Sequence, residues 1–230
     1  MNMTRILLAF LSMLIGTHVA RAAPAPLVVV ELFTSQGCSS CPPADALLAE
    51  LAGRADILPL AFHVTYWNGL GWQDPFSFEA ATERQRSYQH LLRTETIYTP
   101  QIVVGGVTET VGSNRQAVAA LLARRQPADD TMLSISRLAG TLKIDVGAGS
   151  GTAQVILIGF DGARQTRVSR GENAGRLLSE VNIVRGVVPL TEWTGSPLTL
   201  SSAVVPGERT AVILQERSGR IVAAAVTPPG

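Results

Sequence analysis

The sequence predicts an α/β domain of order β-α-β-α-β-β-α over residues 26–125, followed by an antiparallel all-β, sandwich-like domain over residues 131–228. Two observations carry this. An apolar run, Leu27 to Phe33, broken only by Glu31, has the composition of a strand buried on both faces, and helical and strand patterns alternate after it. Beyond the polar, proline-containing stretch Gln126-Pro127-Ala128-Asp129-Asp130 the pattern changes to short alternating runs separated by glycine turns.

Ahead of both lies a leader. Arg5, the apolar run Ile6 to Ile15 and Ala20-Arg21-Ala22 have the layout of a secretory signal peptide over residues 1–22, with cleavage near Ala22. The apolar run is shorter than the roughly 20 residues that span a bilayer, so the expectation is a periplasmic or secreted protein without stable membrane association. About 205 residues remain, enough for two domains with their own cores. Of 19 Lys and Arg against 18 Asp and Glu, Arg5 and Arg21 belong to the leader, which leaves 17 basic against 18 acidic residues. So balanced a charge does not call for nucleic acid.

In the first domain a helix is predicted from Ala44 to Leu51, with Leu47, Leu48 and Leu51 on one face and Gly53 as its stop. Pro42 and Pro43 are compatible only with its first turn. A second strand, Ile57 to Val64, implies a parallel pair with a right-handed crossover, and His63 falls near its C-terminal end, the edge where parallel sheets gather their chemistry. His63 is read either as a site residue or as a buried histidine satisfied by backbone. Trp72 is assigned to packing, Trp67 is left open, and a helix follows over Phe78 to Leu92 with His90 on its surface. Pro100 opens the strand Gln101 to Val104, Gly105-Gly106 turns the chain into Val107 to Val111, and Ser113 is placed to cap a helix over Arg115 to Ala123.

The chemistry concentrates in Gly37-Cys38-Ser39-Ser40-Cys41-Pro42-Pro43, which holds the only two cysteines of the chain. Two cysteines three apart at a helix start lie close enough to bridge, and there a thiol pKa falls to roughly 3.5–7.5 from about 8.5. The asymmetry of the motif predicts that Cys38 is more exposed and more acidic than Cys41. A structural disulfide is one alternative, although a loop this short stabilises by only about 2 kcal/mol. A thiolate site for Cu(I) using Cys38, Cys41 and His63 is another, but the chain has no second C-x-x-C or H-x-x-x-H.

Glu31-Leu32-Phe33-Thr34-Ser35-Gln36-Gly37-Cys38-Ser39-Ser40-Cys41-Pro42-Pro43-Ala44-Asp45, the His63 to Pro75 loop and Tyr98-Thr99-Pro100-Gln101 resemble a bacterial family of exported thioredoxin-like proteins catalogued as a domain of unknown function. The resemblance implies a thioredoxin fold, with Cys38 as attacking thiol, Cys41 as resolving thiol and Pro100 as a cis-proline that turns the Thr99 backbone toward the disulfide. It implies for Glu31 the place of a buried acid that exchanges a proton with Cys41; the alternative is a hydrogen-bond anchor for the Thr34 to Gly37 loop. Gly37 and Ser39-Ser40 depart from the thioredoxin pattern of Trp before the first cysteine and Gly-Pro between the two. Partners are then a protein thiol or disulfide, or a small thiol, and no cofactor is implied.

In the second half, strands are predicted around Leu133 and Ile135, Leu142 to Val146, Val155 to Ile158, Val181 and Ile183, Val212 to Leu214, and Ile221-Val222, with a turn at Asp161-Gly162. Arg164, Arg167, Arg170, Arg176 and Arg185 are read as a solvated face, and Gly147 to Gly151 as a turn. Arg170-Gly171-Glu172-Asn173-Ala174-Gly175-Arg176 also resembles the exported family, with no chemistry attached.

Overall fold

Strand β1 (Val28–Thr34) is buried along its whole length, and alternation along it separates two cores. Val28, Val30 and Leu32 pack with Ala44, Leu47 and Leu48 of helix α1 (Pro42–Leu51) and with Val118 and Leu122 of helix α3 (Arg115–Ala123). Val29 and Phe33 face the other way, toward Ala81 and Tyr88 of helix α2 (Glu79–Leu92). The structure, a computed structural model, describes residues 26–125 and 131–228; the leader and the stretch 126–130 lie outside the described residues.

The first half follows the expected order. β1 runs parallel to β2 (Ile57–His63) and antiparallel to β3 (Gln101–Val104), which turns into β4 (Thr108–Val111). Gly105 and Gly106 make that turn with φ of 59° and 75°, a region glycine enters without steric cost. One cap differs from expectation. Helix α3 starts at Arg115, so Asn114 and not Ser113 stands at its N-cap, where Asn114 Oδ1 accepts the Ala117 N–H at 3.1 Å.

The second half comprises β5 (Leu133–Leu138), β6 (Thr141–Val146), β7 (Ala153–Arg167), β8 (Leu177–Trp193), β9 (Leu198–Ala203), β10 (Arg209–Gln215) and β11 (Ile221–Val226). It is not a self-contained all-β sandwich. Four of its strands join the first half in one mixed eight-stranded sheet of order β11-β10-β7-β8-β2-β1-β3-β4, while β5-β6-β9 forms a separate antiparallel sheet. The junction is β8 beside β2, parallel, with Ala61 opposite Ile183. Asn182, in the left-handed region at φ 49°, donates its Nδ2 to the Pro59 carbonyl at 2.8 Å and so adds a side-chain bond at that junction. The small sheet covers the outer face of the large one, burying Ile135, Leu142 and Ile144 against Val155, Leu157, Val212 and Leu214.

The expected turn at Asp161-Gly162 lies inside β7, which bulges between Gly159 and Phe160 instead of reversing. Gly159 is needed for close approach: a Cβ there would sit 2.1 Å from the Pro206 carbonyl oxygen. The start of β11 meets the β3–β4 turn, with the Ile221 N–H bonded to Gly105 O at 2.9 Å. The hairpin β7–β8 is its longest element, and the turn at its tip reaches back to the first half.

Candidate functional site

Helix α1 begins at Pro42 with Cys41 as its N-cap, so the second cysteine stands at the helix end and Cys38 lies on the incoming loop. The two are joined in a disulfide with Cα atoms 5.4 Å apart. Both residues are fully buried, at 0% exposure, which corrects the expectation that Cys38 is the accessible one. The cover is the turn 168–176 between β7 and β8. Asn173, itself buried, donates from Nδ2 to the carbonyls of Gln36 and Cys38 at 2.9 Å each, and Glu172 Oε2 accepts the Ser39 N–H at 3.1 Å. Gly171 packs on Trp72, where a Cβ would come within 3.2 Å of Trp72 Cβ. Trp72 in turn donates from Nε1 to Gln36 Oε1 at 3.0 Å, so it both packs and pins the motif.

A buried polar cluster lies on the α1 side of the sheet. Asp45, one helical turn after Cys41, accepts from Thr34 Oγ1 at 2.8 Å. His63 sits beside Thr34 in the β1–β2 register and is held by a side chain, its Nδ1 2.7 Å from Asp74 Oδ2. Asp74 also accepts the Gln36 N–H at 2.8 Å, and Gln36 Nε2 donates to Glu180 Oε2 of β8 at 2.8 Å. His63 Nε2 and Glu180 Oε1 face each other at 3.9 Å, and both lack a hydrogen-bond partner.

Burial sets the protonation of this cluster. It raises the Asp45 carboxyl to about 7 against the opposing pull of the His63 cation. For His63 burial acts downward, but the Asp74 carboxylate, with Glu180 and Asp45, outweighs it and lifts the imidazole to about 9. Asp74 is likewise opposed by burial, yet His63 holds it below the usual carboxylate range. Glu180 is raised by burial, with His63 pulling against it. His63 and Asp74 therefore form a buried ion pair, and Asp45 stands between its neutral and charged forms near neutral pH.

The Thr99–Pro100 bond is cis. Thr99 Oγ1 accepts from Trp67 Nε1 at 2.8 Å, and a Cβ on Gly37 would meet Trp67 Cβ at 3.2 Å. Trp67 thus bridges the loop before Cys38 and the loop before Pro100, which settles its open assignment. Glu31 is not with them. Three residues from Thr34, it shares the Val29–Phe33 side of β1 with α2, where Arg84 Nε and NH2 lie 2.5 and 3.1 Å from its oxygens and the Tyr88 hydroxyl donates to it. Its place corrects both expectations, proton exchange with Cys41 and anchoring of the motif loop: it ties β1 to α2. Among the described residues no group of three or more His, Cys, Asp or Glu is arranged to hold a metal ion, so Cys38, Cys41 and His63 are not gathered as ligands.

Sequence reasoning missed Asp45, Asp74, Glu180 and Asn173 as site residues. Asp45 was marked by its spacing, four residues after Cys41 on a helix, which places two side chains on one face. Asn173 lay in the Arg170–Arg176 run, noted without a role. Asp74 and Glu180 carried no local signal.

Fold and site together define a mixed α/β protein whose one disulfide is seated at a helix start over a buried acid–histidine cluster. The chain belongs to the family described as "Protein of unknown function (DUF1223)", whose model matches residues 29–215. It is similar to a protein of Agrobacterium tumefaciens solved by X-ray crystallography, with 34% identity over 89% of this chain and 95% of that one and a TM-score of 0.75. HBP35 of Porphyromonas gingivalis shares the fold at 12% identity, TM-score 0.56, over 90% of this chain and 76% of that one. No curated protein matches the chain.

Proposed function

We propose that this protein is an exported, thioredoxin-like thiol–disulfide oxidoreductase acting through Cys38 and Cys41. The observation that carries the reading is the disulfide at the start of α1 with the buried carboxyl of Asp45 one turn below Cys41. A structural staple has no use for a carboxyl held between protonation states; a resolving thiol does, because only its thiolate attacks.

In the dithiol form, Cys38 Sγ as thiolate attacks one sulfur of a substrate disulfide, forms a mixed disulfide and releases the other substrate sulfur as thiolate. Asp45 takes the proton of Cys41 Sγ. The Cys41 thiolate then attacks Cys38 Sγ, closes the Cys38–Cys41 disulfide and releases the second substrate thiolate, so two electrons pass from protein to substrate. Each step runs in reverse when an external thiolate attacks Cys38. Thr99, tied through Trp67 to the loop before Cys38, supplies backbone beside which an extended partner would lie. The leader pattern of residues 1–22 and a formed disulfide support an oxidising compartment.

A second reading rests on burial. Both cysteines are covered, and the Asn173 clamp closes the approach to them, as suits a disulfide-stapled binding protein. The two readings separate in one experiment. The folded protein, reduced with dithiothreitol, is offered glutathione disulfide. The oxidoreductase forms a mixed disulfide that persists in Cys41→Ser and is absent in Cys38→Ser. A staple exchanges only after unfolding.

A further inference from the structure

We infer that the Cys38–Cys41 pair is set as an electron donor: its dithiol reduces a substrate disulfide, and the resulting Cys38–Cys41 disulfide is returned to the dithiol by a partner protein's dithiol. The inference rests on the oxidoreductase reading and adds the direction of electron flow. It follows from how little the surroundings offer a Cys38 thiolate. A pair whose thiolate is strongly stabilised is an oxidant; one whose thiolate is left without donors gives its electrons up.

Most of the N–H groups at this helix start are absent or engaged. Pro42 and Pro43 have none, and Ala44 and Asp45 bond the Cys41 carbonyl at 2.8 and 3.1 Å. Cys41 N–H is given to Cys38 O at 3.2 Å, Cys38 N–H to Ser35 O at 3.1 Å, and Ser39 N–H to Glu172. Within reach of Cys38 Sγ is the Ser40 hydroxyl at 3.3 Å, on an exposed residue that water also solvates. The helix end that should favour an anion therefore offers a thiolate little.

Charge works in the same direction. Glu172 brings a carboxylate to the N–H of the residue after Cys38 from the β7–β8 turn. The His63 cation is matched by Asp74, and Arg176 of the same turn, itself exposed, donates to Asn173 Oδ1 rather than to the motif. Arg170 is exposed. The electrons balance: the dithiol loses two electrons and two protons, the substrate disulfide becomes two thiols, and the partner dithiol becomes a disulfide when it restores the pair.

The test equilibrates the folded full-length protein in glutathione buffers of graded ratio and in dithiothreitol, scores the pair by alkylation and mass, and follows Cys38 alkylation of the reduced protein against pH. The expected result is a pair that stays disulfide in mostly reduced glutathione, opens in dithiothreitol, and alkylates at Cys38 with a midpoint at or above about 8.5. Glu172→Gln, which keeps an acceptor for Ser39 but removes the charge, is expected to move the equilibrium about two- to fivefold toward the dithiol and to lower the midpoint with it. Reduction by glutathione with a midpoint near or below about 7 overturns the donor assignment while leaving exchange itself intact. A pair that exchanges with neither thiol in the folded state removes the oxidoreductase reading and this inference together.

Discussion

Glu31 and Asp45 are both buried carboxyl-bearing residues in the same half of the protein, on opposite faces of β1, and they are held in opposite ways. Glu31 meets a guanidinium and a phenol, with Arg84, Tyr88 and Gln215 closing a network in which each partner has another. Burial acts against the Arg84 cation, but the Glu31 carboxylate outweighs it and raises the pKa. Asp45 has one hydroxyl, from Thr34, and the attraction of His63, which Asp74 already holds. The difference teaches that burial alone does not make an acid useful. A buried carboxyl with its own cation stabilises an interface; one left short of a partner stays poised to give or take a proton.

Four substitutions sharpen or break that contrast. The largest effect is expected from Glu31→Ala, which leaves Arg84 charged and unpaired in the core: about 3–5 kcal/mol of stability lost in denaturant unfolding, with thiol exchange of the remaining folded protein unchanged. A loss of exchange without a loss of stability would tie Glu31 to the disulfide after all.

Asp45→Asn comes next. It keeps the acceptor for Thr34 but not the base, so the mixed disulfide at Cys38 should persist on the order of 10²-fold longer in rapid-quench trapping. It also changes the pH dependence. With Asp45 raised to about 7 in the fold and about 3.9 unfolded, the folded state binds more protons between those values, so stability falls as pH rises across that window. His63 acts alike: raised to about 9, its contribution is whole below about 6.5 and is lost as pH rises through 9. Asp74, lowered, adds stability above its unfolded pKa that disappears only in acid. Wild-type stability should thus decline from pH 5 to 9, and Asp45→Asn should make the decline below pH 7 shallower by the share that Asp45 contributes, leaving the shares of Glu180 and His63.

Asn173→Ala tests the cover. Two buried carbonyls lose their donor, at about 1–3 kcal/mol each where water does not replace it, and the turn 168–176 loosens. Reduction of the folded protein by dithiothreitol should then speed up about tenfold, the factor that corresponds to about 1.4 kcal/mol. An unchanged rate would mean that the turn does not limit access. The smallest effect belongs to Trp67→Phe, which keeps the ring against Gly37 but drops the bond to Thr99, for about 1 kcal/mol in thermal unfolding.

What was legible in the sequence follows the range of the interactions. The order of β1 to α3, the parallel pair, the Gly105-Gly106 turn and His63 at a strand end are all written in local pattern and spacing. The face on which Glu31 lies was not: alternation separates Glu31 from Thr34, but only tertiary packing says which face receives α1. The junction of β8 with β2 rests on a short register, Ala61 with Ile183, and on Asn182 reaching Pro59, contacts across more than a hundred residues that no local motif marks. The cover over the disulfide is equally remote, since Asn173 and Cys38 are 135 positions apart. A second half that looked like a separate sandwich turned out to supply one sheet of its own and strands, a lid and Glu180 to the first.

Native-state reduction tests the central claim most directly. Folded protein is titrated with dithiothreitol while circular dichroism follows the fold and alkylation with mass analysis counts free thiols at Cys38 and Cys41. If the pair is a working redox centre, both thiols appear while the fold is intact, and the disulfide re-forms when glutathione disulfide is added. Thiols that appear only together with unfolding would contradict the account and make the Cys38–Cys41 bond a staple.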